Sequence, residues 1–310
     1  VVAAPPGRAV GGGGEGSSAG GGGVPSRLRQ LARPAFGALP APTRRRVLHA
    51  LGRYAPWEDG FDFTAPATHP GEITGPPDFV GIGAQKAGTT WWYELIAAHP
   101  GVASRPDIHK ERHFFTRYAT APFGPDDCSA YHRWFPRRPG QLAGEWTPDY
   151  LHLAWVPALL GRAAPDARLL VLLRDPVERF RSGLDHHRRG DGRLSAQVYA
   201  DAVDRGFYDA ALRRWSPEGG ADRLLVLQHE RCVADPAGQL ARTYRFLGLD
   251  PFVPPDIDRR VSAARRPVQL DQDVRRRLTE VYAPDVLALA SRFPELELDR
   301  WPNFSGLAGR

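Results

Sequence analysis

Lysine is almost missing from this chain. Of 41 Lys+Arg in 310 residues, only Lys86 and Lys110 are lysines, and every other basic residue is arginine. Cysteine is equally scarce: Cys128 and Cys232 are the whole complement. They share no metal-type spacing and define no disulfide framework, so they fit free thiols in a reducing compartment, with a single long-range bridge left open. No apolar run approaches the roughly 20 residues that span a bilayer as a helix. The N-terminal residues show no charged stretch followed by an apolar one, so a secretory leader is not expected and a cytoplasmic location is. No basic tract is interleaved with aromatics, which argues against a nucleic-acid partner. The net charge of +6 and pI near 9.6 favour a polyanionic ligand or an acidic surface, unless they simply record an arginine-rich composition.

What is present divides into three parts. Residues 1–26 are Gly/Ala/Pro-rich, with "GGGGEGSSAGGGG" at their centre, and have almost nothing to bury. They are expected to form a flexible tail. Residues 27–77 read as a basic helical segment and linker, with helical spacing around Val47, Leu48 and Leu51. That helix either packs on the main domain or docks on a membrane surface or partner. Residues 78–310 form the main domain, with no internal repeat. There "FVGIG" (79–83), "RLLVLLRDP" (168–176) and "RLLVLQHE" (223–230) are short apolar runs, and "GEWTP" (144–148) is a weaker one. Helical stretches separate them. Continuous apolar strands alternating with helices predict an α/β fold with a central parallel β-sheet flanked by helices, and ligands at the carboxyl ends of its strands. Those ends carry Gly83–Thr90, Trp146–Asp149 and Arg174–Asp175.

The loop after the first strand runs Gly81-Ile82-Gly83-Ala84-Gln85-Lys86-Ala87-Gly88-Thr89-Thr90. Small residues let successive backbone N–H groups face one anion, and a helix N-terminus adds a favourable dipole. Taken alone, a tight strand–helix turn with an N-capping threonine explains the loop as well. It does not match the G-x-x-x-x-G-K-[ST] nucleotide loop, because lysine precedes Gly88 by two. Nor does it match G-x-G-x-x-G, because Lys86 stands where the third glycine belongs.

The arrangement K-x-G-T-T-W resembles the 5′-phosphosulfate loop of sulfotransferases that use 3′-phosphoadenosine 5′-phosphosulfate (PAPS). Three further stretches follow in that family's order. "LLRDPVERFRS" resembles its 3′-phosphate motif, with Arg174 and, eight residues on, Ser182. "KERHFF" (110–115) resembles the E-x-H-F-F segment of the heparan sulfate (glucosaminyl) branch, which implies Glu111 as catalytic base and His113 in its supporting position. "GEWTPDYL" (144–151) resembles G-E-K-[ST]-P-x-Y but places Trp146 where that branch carries lysine, which argues for a flatter or less charged acceptor. The likeness spans about residues 78–301 and implies a P-loop-like three-layer fold.

By the same resemblance Gln85, Lys86, Ala87, Gly88, Thr89 and Thr90 hold the donor, Trp91 stacks on adenine, and Arg265 and Arg266 stand in for a late basic loop against the nucleotide. Lys110, Trp146 and Tyr208 are expected to face the substrate. The implied reaction carries the sulfuryl group of PAPS to a hydroxyl of a small-molecule, carbohydrate or lipid acceptor, and the near-absence of lysine fits a high-GC bacterial source. A compact ammonium on a flexible stem suits the scissile oxygen, and arginine's planar fork suits a static phosphate. No metal is required, since lysine and the helix dipole supply positive charge. His186 and His187 look like a ligand pair but fit a solvated helix end. A P-loop nucleotide kinase or NTPase, or a non-catalytic nucleotide-binding protein that kept the site, are the alternatives.

Overall fold

The structure is a computed structural model that describes residues 64–105, 110–190, 195–215, 221–257 and 268–307. The expected tail, the basic segment up to residue 63, and Arg265 and Arg266 lie outside the described residues.

Four strands form one sheet: β1 (Phe79–Gly83), β2 (Gly144–Trp146), β3 (Arg168–Leu173) and β4 (Leu224–Gln228). Their order is β2-β1-β3-β4, and every pairing is parallel. Among the described residues the α-helices are α1 (Thr89–Ala97), α2 (Pro125–His132), α3 (Val156–Ala163), α4 (Pro176–Gly190), α5 (Ala196–Asp204), α6 (Tyr208–Arg213), α7 (His229–Ala234), α8 (Pro236–Leu247) and α9 (Gln272–Arg292). Successive strand residues point to opposite faces, so burial of all five residues of β1 requires both faces to be covered. This is the architecture that the apolar runs predict.

Glycine inside β1 is dictated by a neighbour. A Cβ on Gly81 would fall 2.0 Å from the Trp146 ring, so only glycine lets that indole lie across the strand. Trp146 then donates from Nε1 to the Gly83 carbonyl at 3.1 Å. On α1, Trp92 donates to Thr243 Oγ1 at 3.1 Å, and Tyr244 of α8 donates to the Leu95 carbonyl at 2.7 Å. Each aromatic thereby buries its ring and satisfies its polar tip. Burial of such a side chain stabilises by about 1.5–3 kcal/mol.

After β1 the chain passes to β2 on one side; β3 lies on β1's other side. The loops after β1 and β3 therefore diverge from neighbouring strand ends, the switch point at which open parallel sheets hold ligands.

Candidate functional site

Two left-handed residues shape the loop between β1 and α1: Lys86 at φ 66° and Gly88 at φ 93°. The Ala84 N–H donates to the Leu172 carbonyl at 2.9 Å, tying the loop to β3, and the Ala87 N–H closes a turn onto Ala84 at 3.2 Å. A Cβ on Gly88 would come within 2.9 Å of His229 Nδ1, so glycine is demanded there by space as well as by φ. A lysine with positive φ costs on the order of 1–3 kcal/mol and persists where the surroundings fix it. Arg174 at the end of β3 supplies one such restraint, donating to the Lys86 carbonyl at 3.3 Å. The N-cap of α1 is Gly88, and no side chain caps it. Neither threonine plays the capping part that a purely structural turn would give it. The first-turn N–H groups, with Thr89 and Thr90 beside them, thus form an anion-receptive helix end.

The second lysine comes back to this point. Lys110 Nζ lies 3.3 Å from Thr89 Oγ1, 3.4 Å from Thr90 Oγ1 and 2.6 Å from Glu111 Oε1. Burial lowers the pKa of Lys110, against the opposing pull of Glu111, Asp149 and Glu94. Burial also raises Glu111, but His113 and Lys110 outweigh it and hold that carboxyl down to about 2. Glu111 Oε2 lies 3.4 Å from His113 Nε2, and Asp149 Oδ2 lies 3.8 Å from His113 Nδ1. Asp149 pairs in turn with Arg205. A polar chain therefore runs from the α1 terminus through Lys110, Glu111, His113 and Asp149 to Arg205 at the end of α5.

The segment carrying Glu111 is pinned to β2. The Trp146 N–H donates to the Lys110 carbonyl at 3.1 Å. Thr147 Oγ1 accepts from the Arg112 N–H at 3.0 Å and donates to the buried Glu145 at 2.5 Å. Tyr131 also donates to Glu145, at 2.6 Å. Burial raises the pKa of Glu145, against its hydrogen bonds from Thr147 and Tyr131 and the charge of Arg112. Glu145, Thr147, Asp149 and Arg205 have no predicted role, although Thr147 and Asp149 lie within the predicted strand end Trp146–Asp149. The signal for the first two was period-two alternation in G-E-W-T, which sets Glu145 and Thr147 opposite Trp146.

On the other side of the loop, Arg174 is half-buried, and Ser182 is half-buried two turns into α4. Asp175 caps α4, accepting from Val177 at 2.9 Å and Glu178 at 3.2 Å. Its second oxygen accepts from the Asn303 backbone and side chain at 3.0 and 2.9 Å. Glu230 accepts from the Asp175 N–H at 3.1 Å and from Trp301 Nε1 at 2.9 Å. Burial pushes Glu230 up to about 7.

Three of the residues expected at the site are buried. Trp146 is 0% exposed, lying across Gly81 beneath the loop, so it supports the site instead of facing an acceptor. Tyr208 is also 0% exposed; its hydroxyl donates to the Arg174 carbonyl at 2.9 Å, which makes it a prop for that arginine. Trp91 is 4% exposed and packs edge-on against Trp92 and His229, at 5.2 and 6.4 Å between centroids, with no open face for a base. Its Nε1 is buried with no hydrogen-bond partner among the described residues. Ala87 is buried and offers only its backbone, while Gln85 and Lys86 are half-buried and Thr90 is exposed. Cys128 and Cys232 are both free thiols. Among the described residues no acidic, histidine or cysteine cluster has metal-site geometry, and no helix is long and apolar enough to cross a membrane.

A sequence model of the Sulfotransferase family matches residues 77–254, which takes in the loop, the Lys110–His113 segment, β2 and the Arg174 corner. The chain belongs to that family. Mouse heparan sulfate glucosamine 3-O-sulfotransferase 3B1 is 30% identical over 197 residues, 56% of this chain and 46% of that protein. Human heparan sulfate glucosamine 3-O-sulfotransferase 6 is 30% identical over 197 residues, 59% of this chain and 55% of that protein. This sulfotransferase-family chain thus spans about half the length of the curated relatives it matches. Among solved structures, a sulfotransferase from Alicyclobacillus acidocaldarius shares the fold, with a TM-score of 0.59 and 24% identity across 73% of this chain and 98% of that one.

Proposed function

We propose that this chain is a PAPS-dependent sulfotransferase that sulfates a hydroxyl group. The observation that carries the reading is the convergence of both lysines on one helix N-terminus: Lys86 lies in the loop, and Lys110 touches Thr89 and Thr90 while holding Glu111. The donor set fits the donor's chemistry. Ammonium, guanidinium, hydroxyl and uncapped N–H groups meet at the α1 terminus, where the N-cap is a glycine with no capping side chain.

PAPS supplies an activated sulfuryl group on a good leaving phosphate. Lys86 neutralises charge that grows on the bridging oxygen, a contribution of about 100- to 1,000-fold in rate. Arg174, with Ser182, grips the 3′-phosphate, and Tyr208 steadies Arg174 from below. Glu111 takes the acceptor proton, worth roughly 100- to 10,000-fold. His113 orients its carboxylate. In the balanced step the acceptor oxygen forms an O–S bond and loses its proton to Glu111. The S–O bond to the 5′-phosphate breaks, leaving a sulfate ester and 3′-phosphoadenosine 5′-phosphate, and Glu111 returns the proton to water. No metal enters this scheme.

The relatives' names support a carbohydrate hydroxyl as acceptor. The argument from Trp146 for a less charged acceptor lapses, because that side chain is buried. Two free thiols support a cytoplasmic setting. The test is transfer of radiolabelled sulfate from PAPS to a panel of sugar, lipid and phenolic alcohols. Glu111→Gln is expected to keep 3′-phosphoadenosine 5′-phosphate binding and lose transfer by 100-fold or more, an estimate from general-base catalysis. Unchanged turnover would place the base elsewhere.

A further inference from the structure

Lys110 has three donor protons, and three oxygens already surround it: Glu111 Oε1 and the hydroxyls of Thr89 and Thr90. Its side chain is 12% exposed, whereas that of Glu111 is 42% exposed, so the ammonium faces the loop more than solvent. The backbone beneath is fixed: Trp146 and Thr147 hold residues 110 and 112 by hydrogen bonds of 3.1 and 3.0 Å. What can move is the four-carbon stem. The titratable groups around it are Glu94 on α1, Asp149 after β2, Glu111 beside it and His113 beyond. An anion on the Thr89–Thr90 hydroxyls would lie within reach of the same ammonium that pins the carboxylate. A carboxylate held at 2.6 Å by an ammonium is a poor proton acceptor.

We propose that Lys110 is a catalytic residue exchanged between two anions: it neutralises Glu111 in the donor-free protein and transfers to the sulfonate when PAPS binds, releasing Glu111 to act as base. The inference rests on the sulfotransferase reading. It makes base activation conditional on the donor, and it makes Glu111 and the sulfonate competitors for one cation.

That competition has a binding signature independent of turnover. The full chain is titrated calorimetrically, without acceptor, with PAPS and with 3′-phosphoadenosine 5′-phosphate, which lacks the sulfonate. Lys110→Ala is expected to leave affinity for the desulfated nucleotide within about 2-fold and to weaken PAPS by about 10- to 100-fold, the worth of a charge-assisted hydrogen bond. Glu111→Gln frees the ammonium and is expected to tighten PAPS by up to about 5-fold, with the desulfated nucleotide unchanged. In the double variant that gain is expected to disappear. The proposal is overturned if Lys110→Ala weakens both nucleotides equally or neither, or if the Glu111→Gln gain survives without Lys110. Should Lys110→Ala bind neither nucleotide, Lys110→Gln is titrated, and the same loss there makes Lys110 a structural residue and ends the proposal. If the unsubstituted protein binds neither nucleotide, the sulfotransferase reading itself fails and this inference with it.

Discussion

Replacing Glu230 with glutamine is expected to flatten the pH dependence of folding stability. Glu230 is the second residue of α7, which follows β4 directly, and it accepts from the Asp175 N–H and the Trp301 indole N–H. Burial pushes its carboxyl from 4.5 up to about 7, with the Asp175 carboxylate adding to the rise. Between those values the folded protein holds a proton that the unfolded chain has released. The stabilisation is therefore complete below pH 4.5 and lost as pH climbs to about 7. At about 1.4 kcal/mol per pH unit the displacement is worth roughly 3 kcal/mol. Asp175, also raised by burial, slopes the same way. Urea unfolding followed by tryptophan fluorescence at pH 5 and pH 7.5 measures the effect. The unsubstituted protein is expected to lose about 2.5 kcal/mol more than Glu230→Gln between the two conditions. The variant starts lower at pH 5, because its amide NH2 meets one of the two donors. Parallel changes in the two proteins would refute the reasoning. The same two carboxyls hold the backbone just after Arg174 and the segment at Asn303.

Two further outcomes follow from the packing beneath the loop. Thr147→Val removes a donor to Glu145 and an acceptor for the Arg112 N–H. It is expected to cost about 3 kcal/mol in chemical denaturation and to lower transfer rate more than donor affinity. Gly81→Ala puts a methyl 2.0 Å from the Trp146 ring and forces the indole off the Gly83 carbonyl. A loss of about 1–3 kcal/mol or more, read as a lowered melting temperature, is expected together with weakened nucleotide binding.

The parts of this fold legible in the sequence are those set by local pattern. β1 begins and ends where "FVGIG" does, and β3 and β4 fall within their apolar runs, because a strand buried on both faces leaves a continuous apolar record. The loop was legible as more than a strand–helix turn only through the resemblance of K-x-G-T-T-W to the sulfotransferase loop, and Glu111 only through that of KERHFF to the E-x-H-F-F segment. Side-chain facing was not legible. Trp146, Tyr208 and Trp91 follow or flank the motifs, yet each turns inward because a glycine, an arginine carbonyl or a neighbouring ring makes room for it. The roles of Asp149 and Arg205 were not legible for a related reason: their link to His113 joins residues far apart in the chain and exists only after folding.

The central claim is that the α1 terminus, Lys86 and Arg174 together receive a 3′-phosphorylated adenine nucleotide. Calorimetric titration with 3′-phosphoadenosine 5′-phosphate, set against ATP with magnesium, tests it most directly. The account predicts one saturable site for the 3′-phosphorylated nucleotide, weakened about 10- to 100-fold by Arg174→Ala through loss of a charge-assisted contact, and little binding of ATP. Tight binding of ATP with magnesium and none of 3′-phosphoadenosine 5′-phosphate would contradict it.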